Sequence, residues 1–194
     1  LSIFRNTNAA FTAKDVENAI SILPDDITYD NKKEVLDAKT RYDALTGDEQ
    51  AKIKNSDKLL KAVDTINRLT KQMVSEVTEK INQISDPVTL ADEKLIEETS
   101  RLYGALLEDD KALVENRYQL KAAIDALFDL KASVAGLIEK IDTLPEKESV
   151  TLEHQAMVNE LWAMYEALSD SDKEQVTNIQ KLLDAKDKIK ELND

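Results

Sequence analysis

Eight positions of this chain recur at a fixed spacing, and that recurrence limits the possible folds more than any other feature. Thr28, Tyr42, Ala44, Leu45, Asn55, Leu59, Ala62 and Asp64 return 61 residues on, without a gap, as Thr89, Tyr103, Ala105, Leu106, Asn116, Leu120, Ala123 and Asp125. They return 62 residues later as Thr151, Tyr165, Ala167, Leu168, Asn178, Leu182, Ala185 and Asp187. Ile20, Ile81 and Ile141 extend the match upstream. The third copy places its extra length between Pro145 and Thr151, where a loop tolerates it. The expected organisation is an N-terminal extension over residues 1–11 and three helical modules over 12–70, 71–131 and 132–194.

Within each copy the apolar residues follow a helical period. Val35, Ala38, Tyr42 and Leu45 are spaced 3, 4 and 3 and share one stripe, as do Val158, Leu161, Tyr165 and Leu168. This stripe is the middle helix of a three-helix module. Thr28, Thr89 and Thr151 precede it where an N-cap oxygen is needed, each after a β-branched Ile27, Val88 or Val150. Pro24, Pro87 and Pro145 end the first helix. Thr46–Glu49 and Ser169–Asp172 read as capping-box starts of a short extra turn. Asn55, Asn116 and Asn178 read as N-caps of the third helix. Tyr42, Tyr103 and Tyr165 belong to the core stripe, each hydroxyl reaching the bundle edge.

The third helix continues through the module boundary. From Asp57 to Ser85 there is neither Gly nor Pro, and Leu59, Val63, Ile66, Leu69, Met73, Val77, Ile81 and Ile84 keep the 3-or-4 spacing. Leu120, Ile124, Leu127, Leu130, Val134, Leu137, Ile141 and Leu144 do the same across the second boundary, with Gly136 off the stripe. Helix three of one module thus becomes helix one of the next. A sixty-residue module is marginally stable alone, and a shared helix couples it to its neighbour. The 29 residues from Asp57 to Ser85 would span about 43 Å as one helix, longer than any single such bundle. The fold expected is therefore all-α: three tandem three-helix bundles joined by continuous shared helices into an elongated rod.

Composition agrees and narrows the partners. Only three Gly and three Pro occur, 34% of residues are charged and 5% are aromatic, a balance that favours long helices over strands. A net charge of -13 repels phosphate backbones and anionic headgroups, so nucleic acid is not an expected partner. The two signs are interspersed along the sequence, as on solvated helix faces. No apolar run has the length of a membrane span, and Leu1–Arg5 lacks the layout of a signal peptide. The chain begins without Met, from which it is expected to be an excised or processed part of something longer.

Several kinds of chemistry lack their residues. Without Cys there is no disulfide, thiolate catalysis or thiolate metal site. His154 is the sole histidine, which removes HExxH and polyhistidine metal arrangements; its equivalents Asn31 and Asp92 also lie three residues after a Thr, which points to a role in starting a helix. Asp170–Glu174 has the alternating acids of a calcium loop, but Gln175 stands where Gly is needed and Lys181 where a bidentate Glu belongs. Acid pairs such as Glu97 with Glu98 and Asp109 with Asp110 read as solvated faces, and the phosphate-cradling glycine motifs are absent. No enzyme, cofactor or metal site is expected. Trp162 and Met164 are the candidate partner-contact residues, since module one has Lys39 and Arg41 there and module two has Ser100 and Leu102. A large apolar residue at such a position is either an interface anchor or a flank folded over the bundle edge, and the flank is favoured.

Tyr-x-Ala-Leu-(Thr/Leu/Ser), an acidic turn, Asn, Leu and an Ala-x-Asp step, running from about Val16 to Leu192, resemble the tandem helical repeats of large secreted or surface-anchored proteins of Gram-positive bacteria. The second copy departs at Leu107, where the others have Thr46 and Ser169. The resemblance implies an extracellular, cell-surface or secreted location. It also implies a non-catalytic role as spacer or stalk, or alternatively as an adhesin-like module engaging a host or cell-wall partner. Any partner would be another protein or a cell-wall component, with no membrane insertion by this segment, and the chain is expected to be monomeric.

Overall fold

The computed structural model describes residues 11–194, so residues 1–10 of the expected N-terminal extension lie outside the described residues. Ten α-helices and four short 3-10 turns form the described chain, with no strand among them. It divides into two compact units, one ending at Ser75 and the other running from Glu76 to Asp194.

The first unit contains α1 (Ala13–Ser21), α2 (Lys32–Asp43), α3 (Gly47–Gln50) and the start of α4 (Ser56–Gln83). A helix of nine residues does not persist alone in water, so α1 depends on its cap and its packing. Thr12 Oγ1 accepts the Asp15 N–H at 3.2 Å while the Asp15 carboxylate accepts the Thr12 N–H at 3.0 Å. The Thr12 backbone and hydroxyl bonds hold the Asp15 carboxyl below its ordinary range. Val16 and Ile20 of α1, Val35 and Ala38 of α2, and Leu59, Ala62 and Ile66 of α4 share one core. Each fully buried Ile or Leu contributes about 2 kcal/mol, which gives the short helices the stability their length denies them.

The second unit contains α5 (Glu93–Gly104), α6 (Glu108–Lys111), α7 (Arg117–Asp142), α8 (Gln155–Glu166), α9 (Asp170–Lys173) and α10 (Ile179–Asn193). Helix α7 runs unbroken through Gly136 and serves two cores. Its first half packs Ala123 and Leu127 against Ile96 of α5. Its second half gives Val134, Leu137 and Ile141 to a cluster with Val158 and Leu161 of α8 and Leu182, Ala185 and Ile189 of α10.

Three details of the sequence reading change. The core stripes use Ala62 and Ala123, while Val63 is half-buried and Ile124 is 38% exposed. Either choice keeps helical spacing; the small Ala lets the helices approach closely, and the β-branched neighbour rotates outward. The threonines open a 3-10 turn ahead of the middle helix rather than that helix itself: Tyr29–Asn31, Leu90–Asp92 and Leu152–His154 intervene. Asn116 and Asn178 hold N-cap positions without capping through their side chains. Their backbone, at φ -92°, ψ 18° and φ -106°, ψ 23°, is not the extended conformation that aims a cap oxygen at the first helical amides.

Candidate functional site

The asparagines reach across instead. Asn55 Nδ2 donates to Glu17 O and Ser21 Oγ, both at 3.0 Å. Asn116 Nδ2 donates to Thr78 O at 3.0 Å and Asn82 Oδ1 at 3.1 Å, and Asn178 Nδ2 to Ile138 O and Asp142 Oδ1, both at 2.8 Å. In each copy one amide ties the start of the third helix to the last turns of the first. Turning the amide over would set two oxygens against each other, which fixes its orientation. The three Oδ1 atoms are buried without a hydrogen-bond partner.

The residues three after each Thr act at the same kind of corner. The N–H of Thr28 donates to Asn31 Oδ1 at 2.9 Å, that of Thr89 to Asp92 Oδ2 at 2.9 Å, and that of Thr151 to His154 Nδ1 at 2.9 Å. His154 thus holds the start of a helix, with Nδ1 as acceptor. Asp92 does more than its equivalents, since it also takes the Ser85 N–H at 3.2 Å and the Ser85 hydroxyl. Burial pushes the Asp92 carboxyl up, but the Ser85 and Thr89 hydrogen bonds outweigh it and hold it below the ordinary range.

One contact had no signal in the spacing of apolar residues. Asp172, only 3% exposed, accepts the Leu90 N–H at 2.6 Å, while its own N–H donates to Ser169 Oγ at 3.2 Å. Leu90 packs on the α8–α10 core. The carboxylate expected to close a capping box onto Ser169 therefore satisfies a turn of the preceding repeat. In the first repeat the box does close: Glu49 Oε1 accepts from Thr46 Oγ1 at 2.9 Å and from its N–H at 3.3 Å. Leu107 offers no side-chain cap, yet Glu108–Lys111 is still helical.

Neither candidate contact residue is fully exposed. Trp162 and Met164 are half-buried against the α8–α10 core; the Trp162 ring sits 5.4 Å from that of Tyr165, and Lys186 Nζ lies 3.3 Å from its centroid. Tyr42, Tyr103 and Tyr165 are half-buried, with Lys111 and Lys173 over the latter two rings. Two shallow grooves occur at equivalent places, each between a proline loop and the third helix. One of about 330 Å³ is lined by Pro24, Ile27, Lys58 and Thr65, and one of about 360 Å³ by Ile84, Pro87, Val88 and Ala126. In the third repeat the added residues form a 3-10 turn, Lys147–Ser149, against α10, and Val150 is buried.

No group of three or more His, Asp or Glu is gathered as metal ligands among the described residues. Glu98 pairs with Lys80 at 3.4 Å, and Glu97 is exposed. Among the described residues no helix is long and apolar enough to cross a membrane. On α7, Tyr118, Ile124 and Phe128 are exposed, with Leu113 just before the helix. Module one carries Asp57, Val63, Asn67 and Lys52 at these positions, and module three Gln180, Lys186, Lys190 and Gln175. Apolar spacing hides this face of α7, because by its period Ile124 falls on the core stripe although it is 38% exposed. The chain matches no protein-family model, no curated protein and no solved structure.

Proposed function

We propose that this chain is a non-catalytic spacer or stalk of an extracellular bacterial surface protein, built as three tandem three-helix bundles in an elongated rod. The observation that carries the reading is the length of two helices. At 28 and 26 residues, α4 and α7 would extend about 42 Å and 39 Å, far beyond what a sixty-residue bundle needs. A helix that belongs to two bundles sets their separation and resists their collapse, which is what a spacer requires. The recurring polar ties at Asn55, Asn116 and Asn178 favour it as well, since they hold each bundle in the same way while the surface positions vary.

Small-angle scattering, extrapolated to zero concentration, tests the rod. A radius of gyration well above about 16 Å, the value for a compact chain of this length, is expected. A value near 16 Å would overturn the rod and with it the spacer. The alternative, an adhesin-like binding module for a host or cell-wall partner, is supported by the exposed Tyr118 and Phe128, because aromatic anchors of this kind mark interfaces.

A further inference from the structure

We infer that the outer face of α7 is a self-association surface on which two copies of this chain pair antiparallel. The inference goes beyond the spacer reading and does not depend on it, since a monomeric rod and a dimerising one are both spacers.

Four residues carry it. Tyr118 is 69% exposed and Phe128 74% exposed, and between them Lys121 and Asp125 stand out from the helix, their side chains 75% and 64% exposed. At 100° per residue all four lie on the side of α7 opposite Leu120, Ala123, Leu127 and Val134, which enter the core. Their order is a chemical palindrome. Tyr118 and Phe128 are each five residues from position 123, and Lys121 and Asp125 each two. When two copies pair antiparallel about a two-fold axis level with residue 123, Tyr118 of one stands at the height of Phe128 in the other. Lys121 stands at the height of Asp125. Each aromatic therefore meets an aromatic and each charge meets its opposite, twice over, as an isologous interface requires. Lys121 and Asp125 already pair within the helix at 3.2 Å, so the dimer would close them into a box of four alternating charges.

The face is also ordered in advance. The Arg117 guanidinium stacks on the Tyr118 ring, 4.6 Å from its centroid, and its Nη2 donates to the Tyr118 hydroxyl at 3.1 Å. A ring already fixed loses less freedom when a partner covers it. Modules one and three lack the pattern, with Asp57 and Asn67 or Gln180 and Lys190 in place of the two aromatics. One helix face is a small interface, and the net charge of -13 opposes association, so the dimer belongs to the weak, reversible class.

Sedimentation equilibrium from about 1 µM to about 1 mM is the test. The weight-average mass is expected to rise from 21.8 kDa towards twice that value. The variant Tyr118→Gln/Phe128→Lys takes the residues that module three itself carries in a helix, and it should weaken association at least about tenfold while far-UV circular dichroism stays the same. Lys121→Asp and Asp125→Lys should each weaken it, and the chain carrying both changes should recover it, because the exchanged pair is again complementary. A chain that stays at monomer mass at about 1 mM would overturn the proposal and give the face to a different protein. So would association unmoved by the aromatic changes, or a double charge exchange no better than either single one. The charge variants keep the question open to test even if the aromatic variant fails to fold.

Discussion

At position 178 an asparagine does what no other side chain of its size can do. Its Nδ2 carries two hydrogens, and both are used at 2.8 Å on acceptors of one neighbouring helix. Asn178→Ala deletes both bonds together with the buried, unpartnered Oδ1, and is expected to cost about 1–2 kcal/mol. Asn178→Asp should cost more, because it sets a carboxylate against the Ile138 carbonyl and Asp142. Urea unfolding ranks the two, and Asp equal to or milder than Ala would refute the tie. Asp92 gives a pH signature. Its carboxyl is held below the ordinary range in the folded chain, so its contribution is complete above the unfolded value of about 3.9 and is lost as pH falls through the folded value. Urea midpoints should drop over that acid window, and Asp92→Asn, which takes the residue found at position 31, should flatten the drop. Both roles were half legible in the sequence. Recurrence marked these positions as architectural, but an asparagine at a helix start satisfies a cap and a cross-helix tie equally well by spacing, and only backbone conformation separates them.

Among the elements, spacing located helices well and assigned their faces less well. The expected helix from Asp57 to Ser85 is found as Ser56–Gln83, because the absence of Gly and Pro leaves nothing to stop it before the proline loop. The face of α7 was misread at a single step, Ile124 for Ala123. Both keep the period, and hydrophobicity alone prefers the larger residue, whereas the close approach of α5 selects the smaller. The tie between Asp172 and Leu90 could not be read at all, since it joins residues 82 positions apart through one carboxylate and one backbone amide. Its removal has a local readout. Asp172→Ala leaves the Leu90 N–H without its acceptor, which should cost about 1–3 kcal/mol and speed hydrogen exchange at that amide. Asp172→Asn keeps an acceptor oxygen and should fall between. Exchange at Leu90 unchanged in the Ala variant would show that the turn is held by the packing of Leu90 alone.

For the whole molecule, the repeat gave the all-helical class directly, because a sixty-residue period with so few helix breakers leaves few alternatives. Sequence spacing does not give the arrangement of the modules, which turns on whether α4 transmits stability as a single element. Met73 lies in the interior of α4, half-buried, with no Gly or Pro from Ser56 to Gln83. Met73→Pro removes one i→i−4 hydrogen bond and brings the ring against the preceding turn, at a cost of about 3 kcal/mol or more. Side chains of the first core, such as Leu59 and Ile66, lie outside the four residues that the ring disturbs, so that core should survive. What should be lost is communication. In the nearest-neighbour description of a repeat protein the junction helix is the coupling term, and breaking it lets the parts unfold separately. Urea unfolding followed by circular dichroism should change from one steep transition to a shallower or two-step curve, with a lower apparent m-value. The control is Met73→Ala, which keeps the helix and trims only the side chain. If the Pro variant unfolds at a lower midpoint but as steeply as Met73→Ala, α4 is not what couples the modules, and the proposed rod loses the element that would hold it straight.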